Sequence, residues 1–357
     1  MNRLLTILLL LTQAALSSAR PQEPTGELPY EAFDVMIEST AEGVTLAGTV
    51  TIPPGEGPFP AAVLITGSGP QNRDEEIAGH KPFLVLADRL TRAGIVVLRY
   101  DDRGFGQSTG DFASATTRDF ADDAAAAADW LRKHDKTSVV GLIGHSEGGY
   151  VAPMIAAEDD GIAFVITLAG PALTGLDVLA RQNVDLFLAA GATQDQANAV
   201  GKAAREAFQA AVDEAPRDEL TELVAALVRR QVGLPDGTAI PPQLQPAIAA
   251  TVEQATQPWL LGFLQHDPAD DIRQTRVPFL ALLGEKDLQV SAEQSQPVLE
   301  ELLSRNDDAT IVVVPSVNHL FQPATTGLPN EYGRIDVTFD EATMTQIADW
   351  ISERFAG

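Results

Sequence analysis

Gly144-His145-Ser146-Glu147-Gly148 fits G-x-S-x-G, a spacing that can present a serine hydroxyl for nucleophilic attack. As a bare string it is weak, because glycine and serine are common. Its setting gives it meaning: an apolar run over 139–143 precedes it, and Tyr150, Val151, Met154 and Ile155 follow at helical spacing. A strand that turns sharply into a helix holds the serine at a strained backbone angle, and the flanking glycines remove the clash. The helix start then aims backbone amides at a reacting oxygen.

A serine hydroxyl needs a base to take its proton, and the base needs a partner that fixes its tautomer. His145 and Glu147 fill the variable positions of the motif and do not qualify as the base on sequence alone. Of five histidines, His319 follows an apolar run over 311–314 near the end of the sequence, and it is the expected base. The run over 279–283 ends in Gly284-Glu285-Lys286-Asp287. Asp287 fits the acid, with Glu285 as the fallback. His80, His134 and His266 read as solvated or structural.

The developing oxyanion needs two donors. The amide of Glu147, just after the nucleophile, is one. The loop Gly67-Ser68-Gly69 allows close backbone approach, and we choose Ser68 for the other. A glycine turn without a catalytic role is the alternative there. Asp101-Asp102-Arg103-Gly104 reads as a structural turn bracing the elbow, with a substrate contact as its alternative. Arg73-Asp74-Glu75-Glu76 reads as a solvated loop.

The elements that must position these residues are legible from periodicity. An alternating stretch over 33–52 predicts an N-terminal β-hairpin. Short all-apolar runs over 61–65, 95–98, 139–143, 164–168, 277–283 and 310–314 alternate with helical patterns over 81–93, 120–131 and 341–354. That predicts an α/β protein whose mostly parallel central sheet carries helices on both faces. In such sheets ligands bind beyond the carboxyl ends of the strands, where the candidates fall. From 174 to 258 the alternation stops, and helical patterns over 178–190, 194–212 and 220–232 predict a cap inserted over the active edge. The expected organisation is a leader over 20–32, a core over 33–173, the cap over 174–258 and the rest of the core over 259–357.

The chain has 357 residues, 45% hydrophobic and 21% charged, a globular composition. Its formal charge of −26 argues against nucleic acid as a partner. With no cysteine there is neither a disulfide nor a thiolate metal site. The sequence holds no H-E-x-x-H, EF-hand, Walker or G-x-G-x-x-G pattern in a fitting context, so no metal or cofactor is expected. Arg3, an apolar run over 4–11 and Ser17-Ser18-Ala19 predict a secretory signal over 1–19, cleaved after Ala19. The expected destination is the periplasm or the medium, without stable membrane insertion after cleavage. A retained anchor is the alternative, although the run is short for a bilayer.

Four motifs carry a resemblance. Thr66-Gly67-Ser68-Gly69-Pro70-Gln71-Asn72-Arg73-Asp74, Tyr100-Asp101-Asp102-Arg103-Gly104, Gly144-His145-Ser146-Glu147-Gly148-Gly149 and Asn318-His319-Leu320-Phe321 resemble the EstD-type esterases. These are α/β-hydrolases in the neighbourhood of the serine aminopeptidase-like group. The likeness runs from about residue 33 onward and is weakest over the insertion. It implies hydrolysis of small, short-acyl carboxylic esters, with Ser146 as nucleophile, Asp287 as acid and His319 as base.

Two other functions compete. A peptidase of the same fold would grip a free amine with Glu147 or the acidic residues at 74–76. A binding protein would keep the fold without turnover. A haloalkane-type dehalogenase is disfavoured, since it needs a carboxylate where Ser146 stands.

Overall fold

The computed structural model describes residues 21–356. Eight strands form one sheet in the order β1-β2-β4-β3-β5-β6-β7-β8. They are β1 (Glu31–Glu38), β2 (Thr45–Ile52), β3 (Phe59–Ile65), β4 (Val96–Tyr100), β5 (Thr137–His145), β6 (Ile162–Leu168), β7 (Phe279–Gly284) and β8 (Ala309–Val314). The expected N-terminal hairpin is β1 paired antiparallel with β2, and β2 joins β4 antiparallel. Every other pairing is parallel. The register aligns the strand ends: Ile65 pairs with Gly144, His145 with Leu168, Leu168 with Leu282, and Gly284 with Val314. The loops after β3, β5, β7 and β8 therefore leave from one edge.

The inner strands are apolar on both faces because both faces are covered. Along β3, Ala61, Val63 and Ile65 pack with α2 (Thr117–Arg132) and α3 (Gly148–Glu158), while Ala62 and Leu64 pack with α1 (Pro82–Arg92) and α11 (Glu341–Phe355). Alternate residues point to opposite sides of a strand, so one five-residue run serves two cores. A capping box starts α2, in which Thr116 accepts from the Asp119 amide and Asp119 accepts from that of Thr116.

Between β6 and β7 come α4 (Gly175–Ala189), α5 (Gln194–Val212), α6 (Arg217–Gln231), α7 (Gln245–Ala255), α8 (Pro258–Gln265) and α9 (Ala269–Gln274). Helices α5, α6 and α7 enclose a core of their own around Leu220, Val224 and Ile248. Helix α8 turns Trp259, Leu260 and Phe263 toward Tyr150 of α3. Thus the stretch from 259 to β7, assigned above to the core, begins with two more helices, α8 and α9. One more helix, α10 (Ala292–Leu302), lies between β7 and β8 in sequence and packs on the same face as α2 and α3.

The leader differs from the flexible segment that its Pro, Gly and Glu content predicts. The Gln22 side chain donates to the Phe339 carbonyl at 2.7 Å and accepts from the amides of Thr338 and Phe339. Tyr30 donates to Asp88 at 2.7 Å. Composition alone does not reveal these tethers, because their partners lie far along the chain. The expected signal over 1–19 lies outside the described residues. Among the described residues, no helix is long and apolar enough to cross a membrane.

Candidate active site

Ser146 sits between β5 and α3 with φ at +52°. That is the left-handed region, which costs a residue bearing a side chain about 1–2 kcal/mol. The elbow closes only because its neighbours lack side chains. A Cβ on Gly144 would strike the Gly148 carbonyl, and one on Gly148 would strike the carbonyl of Ile65. Two backbone bonds fix the turn: the Ser146 amide donates to Leu168 at 2.9 Å, and the Gly149 amide donates to Ser146 at 2.8 Å. Its side chain stays half-buried, and among the described residues Oγ is bonded to no partner.

The loop after β8 carries His319, which is buried. The Asn318 side chain shapes that loop by accepting the amides of Leu320 and Gln322, each at 3.0 Å, and donating to Gln322 Oε1 at 2.9 Å. Phe321 anchors it against Phe339, with ring centroids 5.4 Å apart and nearly parallel. His319 Nδ1 lies 2.8 Å from Asp287 Oδ2. The other carboxylate oxygen of Asp287 accepts the amides of Gln289 at 2.8 Å and Val290 at 2.9 Å. An ionised carboxylate only accepts, so Nδ1 carries a proton, and in the neutral ring the lone pair is then on Nε2. Glu285 points elsewhere. It is exposed and accepts the Ser316 amide at 2.7 Å.

Gly67 presses against Ser146, where an added Cβ would come within 3.0 Å of Ser146 Cβ. This brings the Ser68 loop alongside the elbow. Among the described residues, the amides of Ser68 and Glu147 donate to no acceptor, so both are available to a charged oxygen.

Sequence reasoning missed the Glu147 side chain. It is buried and accepts three bonds: Ser68 Oγ at 2.8 Å, Thr117 Oγ1 at 3.0 Å and Trp259 Nε1 at 3.1 Å. Burial pushes its carboxyl above the usual range, against the pull of the three donors. One carboxylate thereby ties the elbow to the Ser68 loop, α2 and α8. The turn at 101–104 works in a similar way. Asp102 accepts Thr66 Oγ1 at 2.7 Å and the Gln71 amide at 2.8 Å, clamping both ends of the Ser68 loop. Burial raises its carboxyl as well, aided by the nearby Glu75 and Glu147.

The charge run at 73–76 is not the solvated loop that its composition predicts. Arg73 donates to Asp101 through Nε at 3.0 Å and Nη2 at 2.9 Å, and Asp74 pairs with Arg99. Glu75 is 1% exposed and lies against His145, so only Glu76 of the four is exposed. The charges turn inward because each of the first three finds a partner distant in sequence. His80 is buried between Thr338 and Tyr332, His266 packs edge-on against Tyr150, and His134 lies against Trp130. Among the described residues, no three His, Cys, Asp or Glu side chains could hold a metal ion.

Against known proteins, the model of the α/β-hydrolase family matches residues 62–325, from β3 to just beyond His319. The chain belongs to the α/β-hydrolase family. This α/β-hydrolase is 28% identical over 312 residues to Esterase EstD of Thermotoga maritima, a match covering 86% of this chain. It spans 65% of that relative's length. The Pyrococcus furiosus esterase Pf2001 superimposes with a TM-score of 0.55 at 16% identity, over 95% of this chain and all of that one. GrgF, an α/β hydrolase from Penicillium sp. sh18, gives 0.57 at 18% identity, over 92% of this chain and all of that one. At such identities the two structures speak for the fold alone.

Proposed function

We propose that the protein is a serine carboxylic-ester hydrolase acting on small, short-acyl esters through an acyl-enzyme intermediate. The observation that carries this reading is the carboxylate-oriented His319, mounted at the same sheet edge as a strained, unbonded Ser146. Likeness to an esterase over 86% of the chain supports it. The short-acyl preference rests on the resemblance to EstD-type esterases.

In this mechanism His319 Nε2 takes the Ser146 proton as Oγ bonds to the ester carbonyl carbon. The carbonyl π electrons move onto oxygen, where the amides of Ser68 and Glu147 receive the charge. Collapse breaks the bond to the alcohol oxygen, which leaves with the proton held by His319. Water then repeats the sequence: His319 takes its proton, hydroxide adds to the acyl carbon, and the acid departs as the proton returns to Ser146 Oγ. Asp287 stabilises the transient imidazolium without taking its proton.

The aminopeptidase-like alternative needs an acidic group free to grip an amine. Glu147 already accepts three donors, Asp74 is paired with Arg99 and Glu75 is buried against His145, which leaves the exposed Glu76 as the one free carboxylate of those named. These engagements favour the ester reading. A series of p-nitrophenyl esters from acetyl to palmitoyl, run beside amino-acid and dipeptide anilides, tests it. We expect kcat/KM to peak at two to four acyl carbons, with anilides slower by about 100-fold or more, the scale on which binding pockets discriminate. Anilides turned over faster than every ester would replace it with the peptidase.

We further read residues 174–258 as a cap over the active edge, and the N-terminal pattern as an export signal. Arg20 as the first residue of protein recovered from the periplasm or medium would bear out the latter; a chain retaining Met1 there would refute it.

A further inference from the structure

Behind the nucleophile lies a second buried acid–histidine pair that the mechanism above does not use. Glu75 is 1% exposed and His145 4%. Glu75 Oε1 lies 2.7 Å from His145 Nδ1 and also accepts the Gly67 amide at 3.0 Å. On the other side of the ring, His145 Nε2 lies 2.9 Å from the backbone carbonyl oxygen of His319. The two imidazoles pack together, with centroids 4.7 Å apart at 47°. One ring thus touches the Ser68 loop through Glu75, the elbow through its own backbone, and the loop that holds His319.

Both partners of this ring are acceptors. A peptide carbonyl has no proton to give, and an ionised carboxylate has none either. A neutral imidazole carries one N–H and one lone pair, so it satisfies a single acceptor and sets a lone pair against the other. With Glu75 ionised, only the doubly protonated ring satisfies both; with the proton on Glu75 instead, Nδ1 would be bare.

We propose that Glu75 and His145 form a buried carboxylate–imidazolium pair that positions the His319 loop and the Ser68 loop against the elbow. The two are positioning residues, and their role in turnover rests on the hydrolase reading above. Burial pulls the His145 imidazole down, but the charge and hydrogen bond of Glu75 carry it above its usual range, with smaller help from the His319 carbonyl and Asp287. The titratable groups facing it are Glu75, from the loop after β3, and His319 and Asp287, from the loops after β8 and β7. Pro82, Phe83, Leu168 and Phe321 complete an apolar wall.

The test combines ring protonation with kinetics. In the full-length protein labelled with ¹⁵N-histidine, long-range nitrogen–proton spectra at pH 7.5 should show protons on both ring nitrogens of His145, identified by its loss in H145Q. In Glu75→Gln the amide oxygen stays on the Gly67 N–H and takes the Nδ1 proton of a neutral ring, whose Nε2 lone pair then faces the His319 carbonyl and releases it. That loosens the mounting of the base, and kcat on p-nitrophenyl butyrate should fall about 10- to 100-fold, the cost of roughly ångström-scale misplacement. KM should stay within about twofold, because neither residue touches substrate in this account.

A bare nitrogen on His145 in the wild type would overturn the proposal, as would a folded Glu75→Gln variant with kcat within about twofold of wild type. Should that variant fail to fold, the wild-type spectrum decides. Ring protonation is read without turnover. A Ser146→Ala variant that kept activity would therefore sink the hydrolase reading while leaving the charge state of the pair to be judged separately.

Discussion

Ser146→Ala is expected to lower kcat on p-nitrophenyl butyrate by about 10⁴-fold or more, with the melting temperature within about 2 °C of wild type. The rate effect follows from chemistry: without Oγ no acyl-enzyme forms, and only substrate binding and the oxyanion donors remain to assist water. The small stability effect follows from geometry. Oγ is bonded to no partner among the described residues, while the left-handed backbone is held by glycine contacts and two backbone bonds that alanine keeps. Alanine bears the same Cβ at φ +52°, so the strain stays. A loss of only a few fold would place the nucleophile elsewhere. A large fall in melting temperature would mean that the hydroxyl supports the elbow.

Asp287→Asn should cost about 10⁴-fold in kcat through the tautomer of His319. The amides of Gln289 and Val290 both point at one oxygen of residue 287. An asparagine there must keep its oxygen on those two donors, which turns its NH₂ toward His319 Nδ1. That nitrogen then accepts, the ring proton moves to Nε2, and the base has no lone pair for Ser146. Kinetics from pH 6 to 9 with folding checked by circular dichroism would test this. A loss below about 10-fold would show that another group holds the tautomer. Glu285 is a poor substitute because its carboxylate faces the Ser316 amide.

The elbow at Ser146 was legible in the sequence because its signal is local: an apolar run, five residues with two glycines, and an immediate change of period. Asp287 and His319 were legible one step less directly, since each follows a short apolar run and strand ends in such sheets gather at one edge. The side chains of Glu75, His145 and Glu147 were not legible. Their partners lie 70, 174 and 112 positions away, and nothing in periodicity or composition links such pairs. The charge run at 73–76 misled for the same reason. Four charged residues in a row read as solvated unless one already knows that Asp101 and Arg99 stand opposite.

Most of the fold was readable because each inner strand is apolar on both faces and α1, α2, α3 and α11 show helical spacing, whereas α8, α9 and α10 were not read. Helix α7 was not, since Pro241 and Pro242 suggest a break, whereas Pro246 sits near the helix start, where a missing amide proton costs nothing. The tethering of the leader escaped because Gln22 binds backbone atoms of residues 338 and 339, which leave no trace in composition.

All of this depends on an activated hydroxyl at residue 146. The most direct measurement is to treat the folded protein with a fluorophosphonate and locate the adduct by peptide mass spectrometry. One adduct is expected, on Ser146, formed far more slowly in Asp287→Asn. Modification of a different residue, or none in protein shown to be folded, would contradict it.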